Sequence, residues 1–249
     1  MQRILFVVLS LFCLNSHAQT TRTVPEDFVE IAPLFSGHAS DIDNFSVQVV
    51  DNKLEVTKGR CNLKIENGIL IGTDNGEWGG ELLFRPADTT KKPIKIKDGN
   101  TQFIFTHENK IYFIQGLNHM TSVYGALFEL EATGDRFTYH EVTNFTDEHP
   151  ILYTTYQDKI FVVTKGYIEI EATKESEYAF NETLKLYQIH NAKKQHLYEF
   201  GIELSKKYFK FAPNSIAVVD DDNIFLGERG GIVKLDIANK TVKFYRPAE

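Results

Sequence analysis

The chain is predicted to be all-β, built from a repeated unit of four antiparallel strands. Short runs rich in Ile, Val, Phe, Tyr and Thr, bounded by Gly, Asn and Asp, recur along its length, and no sustained 3.6-residue periodicity interrupts them. The runs also fall into matching sets, four of which align on an isoleucine: Gly68-Ile69-Leu70-Ile71-Gly72, Lys110-Ile111-Tyr112-Phe113-Ile114, Lys159-Ile160-Phe161-Val162-Val163 and Asn223-Ile224-Phe225-Leu226-Gly227. Such repetition marks architectures in which each unit buries its apolar surface against its neighbours. Two segments depart from the pattern, Pro25 to Leu34 and Ile202 to Lys207, and each is expected to form one or two helical turns.

Each core strand is followed by an alternating one: Gly80 to Phe84, Gly125 to Leu130, Thr183 to Tyr187 and Gly231 to Leu235. Closing strands follow at Pro93 to Lys97, Arg136 to Val142, Gln195 to Phe200 and Thr241 to Tyr245. Leading strands are clearest at Gln102 to Thr106, Ile151 to Tyr156 and Ser215 to Val219. The isoleucine anchors are spaced by 42, 49 and 64 residues. The longest spacing contains Lys165 to Asn181, expected as a lengthened hairpin tip, and Ile202 to Asn214, expected as a long connection. Further strands at Phe45 to Val50, Lys53 to Thr57 and Cys61 to Ile65, joined through Asp51-Asn52, are expected to add a fifth unit.

Four strands per unit at this spacing resemble β-propeller proteins, especially exported bacterial ones whose blades carry Gly before an aliphatic strand, as in Gly230-Gly231-Ile232-Val233. The resemblance covers Asp41 to Arg246. It implies a small propeller of four to five four-stranded antiparallel blades, and it transfers no functional residues.

The first residues read as an address. One charge, Arg3, precedes the apolar run Ile4 to Leu14, which is too short to cross a bilayer, and Ser16-x-Ala18 offers the small residues a signal peptidase requires. The expected organisation is a signal peptide over 1–18, an N-terminal segment over 19–40 and a single domain over 41–249, in a protein that is secreted or periplasmic. Without the leader, 26 basic residues face 34 acidic ones, a net charge of −8. An acidic chain with no basic cluster repels phosphate backbones and anionic headgroups, so no nucleic-acid partner and no membrane insertion after cleavage are expected, and the protein is read as a monomer. Cys61 alone survives cleavage, which excludes an intramolecular disulfide and a cysteine-based metal site. It is read as a packed thiol.

No arrangement of nucleophile, metal ligands or phosphate loop stands out. His-x-x-x-His spacing is absent, as are Gly-x-Ser-x-Gly and Ser-x-x-Lys, so no catalytic residues, metal or cofactor are assigned. Asp220-Asp221-Asp222-Asn223 lacks the alternating ligands of a calcium loop and reads as a hairpin turn. The most suggestive stretch is Asn75-Gly76-Glu77-Trp78-Gly79-Gly80-Glu81, where the only tryptophan lies between carboxylates and glycines. A flat aromatic beside acids suits a sugar or a cation, although such a tryptophan more often plugs the space between blades. Gly227 to Gly231 occupies the same place in the last unit and Gln115 to Tyr124 in the second, so Glu77, Trp78, Glu81, His119, Glu228 and Arg229 are expected on one ligand-binding face. A glutamate beside an arginine is more often a solvated pair. The function expected is non-catalytic recognition of a protein or glycan through that face. The competing expectation is a lactonase-like or glycan-processing enzyme with acids at the channel mouth.

Overall fold

The computed structural model describes residues 24, 28–31, 46–50, 53–57, 63–74, 76–119, 122–170, 179–200 and 212–248. The signal peptide expected at 1–18, Cys61, Asp51-Asn52 and the turn expected at 202–207 lie outside them. Strands β1 (Phe28–Ile31), β2 (Ser46–Val50) and β3 (Lys53–Thr57) precede four up-and-down sheets. The first sheet comprises β4 (Leu63–Ile65), β5 (Gly68–Gly72), β6 (Glu81–Pro86) and β7 (Ile94–Asp98). The second comprises β8 (Thr101–His107), β9 (Lys110–His119), β10 (Ser122–Thr133) and β11 (Arg136–Thr146). The third is β12 (Glu148–Tyr156), β13 (Lys159–Ile170), β14 (Ala179–His190) and β15 (Lys193–Phe200). The fourth is β16 (Ser215–Val218), β17 (Asn223–Glu228), β18 (Gly231–Asp236) and β19 (Thr241–Pro247), with β1 added outside β19.

The four isoleucine-anchored runs are the second strands, β5, β9, β13 and β17, and in β9, β13 and β17 the near-continuous apolarity has a direct cause. Both faces of each of the inner sheets are covered by a neighbour. Phe113 of β9 joins Leu70, Leu82 and Phe84 of the first sheet, while the adjacent Tyr112 and Ile114 join Ile160 and Val162 of the third. Phe161 and Val163 then turn to the fourth sheet, against Ile216, Ile224 and Leu226. Phe225 points the other way, with Ala217 and Ile232, onto Leu54 of β3. A strand sandwiched in this way needs apolar side chains on both faces of its pleat, so alternation disappears. Consecutive sheets stacked face to face make the fold all-β and propeller-like, and among the described residues no sheet closes on itself.

Two expectations are corrected. Residues 28–31, expected within a helical turn, form β1, because pairing Phe28 with Pro247 and Ile31 with Phe244 satisfies the backbone while Phe28 and Ile31 pack on the core. Among the described residues the fifth unit has two strands, β2 and β3, since Leu63–Ile65 leaves it to pair with β5 as the leading strand of the first sheet.

Four strands per sheet have a geometric consequence. The chain finishes each sheet at the end where its second and third strands are joined, so those hairpins and the sheet-to-sheet connections share one end of the molecule. Hydrogen bonds display this directly: Gly99 N donates to Gly80 O (2.8 Å) and Gly116 N to Asn100 O (3.0 Å). The opposite end carries the remaining turns, braced by Lys91–Asp135 (2.7 Å) and Lys159–Asp221 (2.6 Å). No helix among the described residues is long and apolar enough to cross a membrane.

Candidate functional site

The loop between β5 and β6 is held on all sides. Asp74 Oδ1 accepts from Gly76 N (2.9 Å), Asn100 Nδ2 donates to Gly76 O (2.7 Å), and Glu81 N donates to Thr73 Oγ1 (2.9 Å). Gly76 and Gly79 sit at φ of +61° and +80°, which an L side chain adopts only at a cost, and they let residues 76–78 close into a 3-10 turn. Gln102 Nε2 reaches back from β8 to Asp74 Oδ2 (2.6 Å). This turn carries Glu77 and Trp78.

Glu77 Oε2 lies 2.7 Å from His119 Nε2 at the tip of the β9–β10 hairpin, so two residues singled out from sequence do meet, across two sheets. Trp78 is 84% exposed. The expectation that it more often plugs the space between blades is therefore corrected: the space between the first and second sheets is filled by Phe84, Phe113 and Phe128, leaving the indole outside. Glu81 opens β6, half-buried, with its amide engaged by Thr73. Glu228 and Arg229 end β17 and enter the turn to β18. They were expected as a solvated pair, yet Glu228 is only 3% exposed and its Oε2 has no hydrogen-bond partner. Burial pushes its carboxyl up to about 8.

The repeat explains why that residue is unusual. Four positions beyond each isoleucine anchor, as the apolar run ends, stand Thr73, Gln115, Thr164 and Glu228. Thr73 bonds β6, as above. Gln115 Nε2 donates to Gly99 O (3.0 Å) and Thr101 Oγ1 (3.1 Å). Thr164 Oγ1 donates to Glu148 Oε2 (2.6 Å), and Glu148 Oε1 accepts from Lys185 Nζ (2.7 Å) and Tyr187 OH (3.0 Å). Burial pushes the Glu148 carboxyl up, but these three donors outweigh it and hold the group below the ordinary carboxylate range. Glu228 occupies the same position without such compensation.

Sequence reasoning did not single out several further residues of this end. His149 lies between the second and third sheets with Nδ1 buried and unpartnered. Burial lowers its pKa, the Asp74 carboxylate opposes that shift and Lys165 reinforces it. Tyr167 OH donates to Asn118 Oδ1 (3.0 Å), tying the third sheet's hairpin to the second's. That hairpin is lengthened as expected, and its strands run on into the tip, since β13 and β14 stay paired from Gly166 and Thr183 outward to Ile170 and Ala179. Its polar composition hid the strands, which are held by the ladder and by Lys165–Glu182 (2.6 Å). The signal available was positional, because Asn118, Tyr124 and Tyr167 all lie on second-to-third-strand hairpins.

No family model matches the chain, and no curated protein does. Among solved structures it is similar to two variants of the apocarotenoid oxygenase of Synechocystis, each with 11% identity and a TM-score of 0.35. The alignments cover 86% of this chain and 56% of each of theirs. At that score and identity, fold and activity rest on the chain's own strands and side chains.

Proposed function

We propose that this is an exported β-propeller that binds a protein or a glycan, without catalysis, through the end carrying Glu77, Trp78, Glu81, His119, Glu228 and Arg229. One observation carries the reading: an indole that is 84% exposed stands on a turn pinned by Asp74, Asn100, Thr73 and His119. Exposing a large aromatic forgoes roughly 2 kcal/mol of burial, and fixing it in place removes much of the ordering cost of a later contact. Such a residue is the usual anchor of a recognition surface. Pull-down from the native exported fraction, with the full chain as bait and Trp78→Ala with Arg229→Ala as control, tests it. A partner retained equally by both baits would remove the face from the account.

The enzyme reading is favoured by Glu228 alone, a buried carboxyl held protonated near neutral pH as a general acid must be. Turnover of a lactone or oligosaccharide that disappears in Glu228→Gln would establish it. Turnover indifferent to that change would dismiss Glu228 as its acid.

A further inference from the structure

Among the described residues, five large apolar or aromatic side chains are exposed: Val29, Trp78, Tyr124, Tyr139 and Tyr167. Tyr139 covers the core, set edge-on to Phe113 and Phe128. Val29 belongs to the outermost strand. The other three occupy corresponding places. Trp78 is on the hairpin of the first sheet, Tyr124 on that of the second and Tyr167 on that of the third. The hairpins are also joined in that order, Glu77 to His119 and Asn118 to Tyr167. Tyr124 stands opposite Leu117, two residues before His119 on the paired strand.

We infer that these three rings form a track for a neutral oligosaccharide, one sugar stacking on each aromatic as the chain crosses three sheets. This deepens the binding reading above and rests on it. A pyranose presents apolar C–H faces ringed by hydroxyls, and an aromatic face with polar neighbours complements it. Here the neighbours are Asp74, Glu77, His119 and Asn118, with Lys165 Nζ 5.9 Å from the centre of the Tyr167 ring and paired with Glu182, acceptors and donors already held in place by their own bonds. A protein partner would call for a continuous apolar core excluding water, whereas the rings lie on separate hairpins with polar residues between them. The net charge of −7 disfavours uronic or sulfated chains. Because the rings are spread over three sheets, affinity depends on ligand length.

The full chain is titrated calorimetrically with cello-, laminari-, malto- and chito-oligosaccharides of one to six units. Tryptophan emission gives a second readout in the unsubstituted protein, since Trp78 is the sole source. One series is expected to tighten by about a hundredfold from disaccharide to hexasaccharide, about tenfold for each tyrosine it reaches. Tyr124→Ala and Tyr167→Ala each cost about tenfold on the hexasaccharide while leaving the disaccharide within about twofold, and Trp78→Ala abolishes both. Tyr167→Phe, which keeps the ring and loses the bond to Asn118, retains binding and guards against a folding artefact. Affinity independent of length, or tyrosine variants that bind normally, overturns the track. If no sugar binds but a protein is captured in a Trp78-dependent way, the carbohydrate assignment fails and the binding face stands. If neither occurs, both fail.

Discussion

Glu228 shows how far one buried oxygen can shift the behaviour of a fold. Its carboxyl is pushed up to about 8 by burial, with no bond to offset it. The folded chain therefore holds a proton between pH 4.5 and about 8 that the unfolded chain has released. Stability then falls as pH rises through that window and levels off above it, at up to about 1.4 kcal/mol per pH unit. Glu228→Gln cannot ionise and is expected to lose this dependence. Its thermal midpoint should exceed that of the unsubstituted chain at pH 8 and match it at pH 4.5, and equal midpoints at both values would refute the account. The sequence placed Glu228 at the correct end of a strand. Its burial was not legible, because that depends on a neighbouring sheet, whereas the matching polar positions Thr73, Gln115 and Thr164 were there to be compared. The exposure of Trp78 was hidden for the same reason: what fills the gap between two sheets is Phe84, Phe113 and Phe128, and only the packing reveals that no room is left for the alternative of a plug.

At the scale of elements most strands were legible, because the second strands carry their own signature of a glycine or polar residue followed by Ile and further apolar residues. What it missed were strands defined by partners rather than composition. β1 is a strand because β19 offers an edge, and the outer halves of β13 and β14 persist because each pairs with the other. Turn geometry adds a prediction here. The β14–β15 hairpin turns on Asn191 and Ala192 at φ of +50° and +57°, the two-residue geometry that favours Asn-Gly. Ala192 pays for a left-handed conformation that glycine takes freely. Ala192→Gly is thus expected to stabilise the chain by about 0.5–1 kcal/mol, raising the thermal midpoint by about 1–4 °C. A lower midpoint would mean that the added freedom of the unfolded chain outweighs the relieved strain.

Over the whole molecule, what matters is how closely consecutive sheets can approach. Gly116 and Gly125 face each other across β9 and β10, and a Cβ on Gly125 would overlap the ring of Pro150 where β12 begins. Proline cannot move aside as a long side chain would. Gly125→Ala is expected to push the third sheet from the second at a cost of about 1–3 kcal/mol, measured as a lower urea midpoint with an unchanged slope. An unaltered midpoint would show that the interface yields. Glycine at the head of the third strand was visible in the sequence as a repeated feature; the purpose of Gly125 was not, because the crowding it relieves comes from a different sheet.

β1 also has a bearing on how the molecule would respond to tension. Phe28 lies opposite Pro247 and Ile31 opposite Phe244, with Lys243 reaching Glu30 at 3.2 Å, so residues 28 and 247 leave the ladder side by side. A pull applied between them would act across the strands, loading one rung at a time instead of shearing all together. β1 would peel away as a zip opens, at a low and steady force, while the four stacked sheets behind it remained unstrained.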